Sequence, residues 1–108
     1  MSGAPGKAYL AYHAALGKRD AAALKPTLTS GAVAIWDRSK QKGELAEYVN
    51  YLASQHLLTS VRIKKAWSRA DVANLLIEGE GPAGTLSGEA LLIREKGAWV
   101  VDSEVLAK

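Results

Sequence analysis

Residues 59–106 read as four strands in succession, and everything ahead of them reads as helix. Each strand alternates with a period of two. In residues 59–67, Val61, Ile63, Lys65 and Trp67 share one face, while Arg62, Lys64 and Ala66 share the other. Residues 72–80 set Ala73, Leu75 and Ile77 against Val72, Asn74, Leu76 and Glu78. Residues 85–94 and 98–106 complete the series. Residues 68–71, 81–84 and 95–97 punctuate it as turns, with Gly97 in the left-handed position of a short hairpin loop. Helices followed by an antiparallel meander predict an α+β fold with helices on one sheet face.

The first helix spans residues 5–16. Pro5 suits its first turn, and Tyr9, Tyr12 and Leu16 recur at helical spacing with Ala8 and Ala15 beside them. Gly17 is the expected C-cap. Asp20 caps a short second helix over residues 21–25, which Pro26 stops. Ala32 to Trp36 are apolar and read equally as a short helix or an irregular strand. Residues 37–43 read as a charged surface loop. A third helix covers residues 44–55 and buries Leu45, Tyr48, Val49 and Leu52. The expected architecture is three N-terminal helices on a curved, mainly antiparallel four-stranded sheet. Residues 5–108 form one domain, since 108 residues that are 48% hydrophobic suffice for a single core. Residues 1–4 read as a flexible linker or a cloning remnant, and a leader or further domains ahead of Met1 are compatible with that start. No cysteine is present, so disulfides, thiolate metal sites and cysteine nucleophiles are excluded.

Two blocks carry a family resemblance. Tyr12-His-Ala-Ala-Leu-Gly-Lys-Arg-Asp-Ala-Ala-Ala-Leu24 and Gly88 to Glu104, with its Trp99-Val-Val-Asp102 close, resemble the nuclear transport factor two-like superfamily. This is the cystatin-like cone that includes polyketide-cyclase-like and ketosteroid-isomerase-like proteins. The resemblance covers nearly the whole chain. It implies a strongly curved sheet wrapped over helices, often with a pocket between them, and no single activity. It also implies that His13 and Asp37 border the cone mouth. The family's isomerase-like enzymes use a pocket carboxylate as base, with a Tyr and a protonated acid as oxyanion donors.

No such set stands out among the carboxylates. Asp37 lies in a charged stretch and Asp71 in a turn, and Asp102 and Glu104 come late in the last strand, where strand ends meet solvent. Glu78 and Glu89 alternate with apolar neighbours and are expected to face outward. No carboxylate sits in an apolar run that would raise its pKa, so no catalytic residue is expected. His13 lies one step off the Tyr9–Tyr12–Leu16 face. His56 follows the third helix and suits its C-terminal dipole. Neither has a partner at metal-ligand spacing, and no metal or cofactor is expected.

The aromatic residues are the better candidates. Tyr12, Trp36, Tyr48, Trp67 and Trp99 either fill the wedge between sheet and helices or line a pocket for a small apolar ligand. The net charge is +3, and Arg62, Lys64, Lys65 and Arg69, with Arg38, Lys40 and Lys42, read as solvated faces. They lack the interleaved aromatics of a nucleic-acid platform, so no nucleic-acid partner is expected. No apolar run approaches the ~20 residues of a membrane span. A homodimer through the sheet face is compatible with outward apolar residues, for which Leu76, Leu92 and Val101 are candidates. The expected role is a non-catalytic binding or assembly module. The alternative is a small-molecule-binding protein or an isomerase/cyclase-like enzyme using the cone pocket.

Overall fold

The first helix, α1 (Gly3–Lys18), extends two residues past each expected end in the computed structural model, which describes residues 3–107. Gly3 and Ala4 belong to it, and residues 1 and 2 of the expected linker lie outside the described residues. Gly17 is inside the helix. The turn that ends α1 is made by Arg19, which takes the left-handed conformation at φ 48°. The Arg19 N–H donates to the Leu16 carbonyl, and the Asp20 N–H donates to that of Ala15. This is the paired closure in which glycine usually occupies the left-handed position. Asp20 then caps α2 (Ala21–Leu24), accepting from the Ala23 N–H, and a 3-10 turn over Lys25–Thr27 follows.

Ala32 to Trp36 are helical. They lie in α3 (Ser30–Gln41), a fourth helix that also absorbs most of the expected charged loop. Thr29 starts it by accepting from the Ala32 N–H, and Glu95 accepts from both the backbone and hydroxyl of Ser30. A carboxylate at that end satisfies orphan donors and opposes the helix dipole. The last helix is α4 (Leu45–Gln55), with Glu44 as its N-cap.

Four strands follow as a meander: β1 (Ser60–Arg69), β2 (Val72–Gly81), β3 (Gly84–Glu95) and β4 (Ala98–Ala107). They pair antiparallel in the order β1-β2-β3-β4. The curved sheet carries its helices on one face. Ala73, Leu75, Ile77, Ala90, Leu92 and Val101 point at them and are buried with Tyr9, Leu16 and Leu24. Tyr48, Leu52 and Trp99 are partly buried against this cluster. Lys96 and Gly97 are both left-handed in the last turn, as a two-residue hairpin requires.

Two bulges break the simple alternation. In β1, Ile63 pairs with Ile77 but Lys65 pairs with Leu76, so Lys64 is the extra residue. Beyond it the faces exchange: Lys65 and Trp67 point away from the helices, and Ala66 and Ser68 pair with inward Leu75 and Ala73. In β4, Leu92 pairs with Val101 and Leu91 with Ser103, which leaves Asp102 as the extra residue. Glu104 thereby pairs with Ala90 on the inner face and Val105 turns outward. A bulge adds one residue to one strand, which reverses every side chain after it. Of the outward apolar candidates, Leu76 is exposed, whereas Leu92 and Val101 are core residues, since each pairs on the helix side. Among the described residues no helix is long and apolar enough to cross a membrane.

Candidate functional site

The reversal in β4 delivers a carboxylate to the interior. Tyr9, Tyr12 and His13 approach it from one side of α1, at helical spacings of three and four. His56 approaches from the end of α4. Its extended backbone (φ −93°, ψ 92°) leaves the helix and turns the ring inward. The Glu104 carboxylate accepts from the Tyr9 hydroxyl at 2.5 Å. It lies 2.8 and 2.9 Å from His56 Nδ1 through its two oxygens. His56 Nε2 lies 2.7 Å from His13 Nδ1. Tyr12 sets its ring edgewise to His56, with centroids 5.7 Å apart. The His56 and Glu104 side chains are 3% and 8% exposed. Glu104 is thus not at a solvated strand end, and His56 is not a surface residue serving a helix dipole.

The bonding partners fix the tautomers. A Glu104 carboxylate only accepts, so His56 donates from Nδ1. A neutral His56 then accepts at Nε2, and His13 donates to it from Nδ1. The His13 Nε2 is left as a lone pair with no hydrogen-bond partner among the described residues. If His13 Nε2 takes up a proton, its Nδ1 proton can pass to His56 Nε2. The positive charge then rests on His56, against Glu104. The chain of groups is built to accept a proton at its outer end and neutralise it at its inner end.

Burial, with the nearby His56, lowers the His13 pKa below the ordinary 6.5, while Glu104 opposes that shift. His13 is therefore an unprotonated base at neutral pH. Burial, then the Glu104 charge, raises Tyr9 and Tyr12 far above the ordinary 10.0. Both keep their hydroxyl protons when a free tyrosine would ionise. In the unfolded chain they ionise near pH 10, so the unfolded state loses protons first and stability falls as pH rises past 10. The midpoint of denaturant unfolding is expected to drop between pH 9.5 and 11. Tyr9→Phe, which has nothing to ionise, should flatten that drop, and an equal slope in the variant would contradict the assignment.

The outer end of the chain opens on a cleft of about 640 Å³. It lies where α1 and α4 end, and His13, Arg19, Ser54, His56, Leu57 and Pro82 are among its walls. A smaller recess of about 170 Å³ reaches Glu104 and Tyr12 from the other side, between α3, α4 and β4. His56 and Glu104 form the partition between the two spaces.

The five aromatic candidates do not converge. Tyr12 borders the small recess. Trp36 is buried and packs edgewise on Tyr48, with centroids 6.3 Å apart. Trp67 is 50% exposed on the outer sheet face, because the β1 bulge turned it there, and Lys65 lies over its ring. Trp99 is partly buried, with the Arg94 guanidinium 5.3 Å from its ring. Asp37 is exposed and ion-paired to Lys25 at 3.2 Å, and is not among the walls of the His13 cleft. The residues that do converge, His56 and Glu104, are 48 positions apart. The one sequence signal for Glu104 was the adjacent pair Val105-Leu106, since two consecutive apolar residues leave the strand's phase open.

No family model and no curated protein matches the chain. Among solved structures, the chain is similar to a protein from Kribbella flavida DSM 17836, described only as a "known function protein". The two are 17% identical, with a TM-score of 0.57 over 96% of this chain and 85% of the other. That likeness extends to the fold: helices on one face of a curved antiparallel sheet.

Proposed function

We propose that this chain binds a small molecule in the cleft between the ends of α1 and α4, and that His13 takes a proton from it there. The observation that carries this is the unbroken Glu104–His56–His13 chain of hydrogen bonds, running from a buried carboxylate to the cleft wall. A lone imidazole is a base of ordinary strength. One backed by a second imidazole and a buried carboxylate can hand the acquired charge inward, where it is paired. The resemblance to the nuclear transport factor two-like superfamily belongs to the same proposal, as an enzyme of the isomerase or cyclase kind working from a cleft beside the cone. Small carbonyl compounds with an acidic C–H are the matching test substrates. The protein should speed C–H exchange in D₂O, and His13→Gln should reduce that rate by about 10²- to 10⁴-fold, the usual worth of a general base. The lowered His13 pKa keeps the rate on its plateau below pH 6.5. If no such compound shifts the His13 ring resonances, the site assignment is wrong.

A second reading as an assembly module rests on a different surface. Trp67, Val72, Leu76 and Val105 are all exposed on the helix-free sheet face. Leu76 and Val105 share one cross-strand row with two charged residues, since Lys65 pairs with Leu76, Leu76 with Glu89 and Glu89 with Val105. The occupant proposed is a second copy of the chain in a two-fold dimer, whose isologous contact would cover these four apolar side chains on both copies. Sedimentation should then give a dimer mass for the parent protein and a monomer mass for Val105→Glu. A monomeric parent at tens of micromolar would remove this reading and leave the cleft untouched.

A further inference from the structure

We infer that the ligand of the His13 cleft is a small organic carboxylate, with its anionic head held by Arg19 and its apolar body lying along Leu57, Leu58 and Pro82. This rests on the cleft being a small-molecule site and adds the chemical class of its occupant. The charge of the walls is one-sided. His13, Lys18 and Arg19 line the cleft, and no Asp or Glu does. The rest of the lining is largely apolar, and Leu57 remains 47% exposed within it. An apolar trough with cationic groups at one end matches an anion on a hydrocarbon body.

Arg19 is the unusual element. It occupies the left-handed position that closes α1, where glycine costs least and any Cβ crowds the following carbonyl oxygen. The backbone bonds close the turn without the guanidinium. The side chain is nevertheless held in place. Its Nε donates to Asn50 Oδ1 at 3.1 Å, and its Nη1 donates to the Leu16 carbonyl at 3.3 Å. Those two bonds tie it to α4 and to the end of α1, and leave the Nη2 edge without a hydrogen-bond partner among the described residues. A guanidinium fixed in this way meets a carboxylate with little further loss of freedom. The carbonyl end of α1, which would repel an anion, is already answered by the backbone bonds of Arg19 and Asp20 and by the Arg19 side chain.

The test uses three probes of one length: hexanoate, hexanol and hexylamine. Binding is followed by calorimetry and by the His13 ring resonances. Hexanoate is expected to bind at least about tenfold more tightly than hexanol, the worth of one charge-assisted hydrogen bond. Hexylamine should bind more weakly than either. Arg19→Gln should erase the preference for hexanoate. Arg19→Gly should erase it too while melting no lower than the parent, since glycine relieves the left-handed backbone. That separates a lost ligand contact from a damaged fold. Equal affinity for hexanoate and hexanol, with both shifting His13, overturns the carboxylate assignment and leaves the cleft as the site. Retention of the hexanoate preference in Arg19→Gln overturns the role of Arg19. Silence of His13 toward all three probes removes the underlying cleft proposal as well.

Discussion

Glu104→Ala is expected to destabilise the fold by about 2–6 kcal/mol, the cost of leaving two buried donors without an acceptor at about 1–3 kcal/mol each. Two donors lose their acceptor at once: the Tyr9 hydroxyl and the His56 Nδ1–H. Neither can turn to water, since Tyr9 is fully buried and the His56 side chain is 3% exposed. Glu104→Gln keeps the shape and one acceptor oxygen, so it should cost less, on the order of 1–3 kcal/mol for one unsatisfied group. Denaturant midpoints of the two variants, with His56→Ala to close a double-mutant cycle, measure the effect and its coupling. A loss below about 1 kcal/mol in Glu104→Ala would mean that the network contributes little and that its members reach solvent.

Gly88→Ala should cost about 3 kcal/mol or more, at or above the usual range for overpacking. An added Cβ would stand 1.8 Å from the Val105 carbonyl oxygen. That oxygen is backbone, so relief requires β4 itself to move. The displaced residue adjoins Glu104, so the polar network should loosen with it. Gly79 is in the same position against β1, where the Cβ would stand 1.9 Å from the Ser60 carbonyl oxygen. Gly17→Ala is the control. It lies inside α1 with nothing within 4 Å of its Cβ, and should gain roughly 0.5–1 kcal/mol from helix propensity. Thermal melts of the variants compare the two environments directly. A Gly88→Ala protein that melts with the parent would mean that β3 and β4 are not so closely apposed.

The meander and the caps were legible because they are local. Period-two alternation and turn residues located all four strands to within a residue or two, and Asp20 announced α2 by its position before three alanines. The α3 helix was half legible. Thr29 stands three residues ahead of Ala32 as a cap, but the apolar run from Ala32 is too short to distinguish helix from strand. What could not be read was the phase of β1 and β4 after their bulges. Alternation identifies two faces but does not mark an extra residue, so Trp67 was grouped with Ile63 on one face and Glu104 was expected at a solvated strand end. The site was hidden for the same reason. Glu104 is interior only because Asp102 is extra, and His56 meets it only through tertiary packing. Arg19 was obscured differently: Gly17 is the residue that propensity favours for ending a helix, yet the chain runs past it.

The Asp102 bulge leaves β4 with a choice of interior. Drawn straight from Val101, the strand would turn Ser103 and Val105 toward the helices and present Glu104 and Leu106 to water. With the extra residue it turns Glu104 and the partly buried Leu106 inward and exposes Val105. Both alignments put one apolar residue of the Val105-Leu106 pair inside, so hydrophobicity alone barely separates them. The observed pairing is the one that brings Glu104 to the hydroxyl of Tyr9 and the ring of His56. The groups that would handle a proton therefore also act as the latch that selects between two pairings of the final strand.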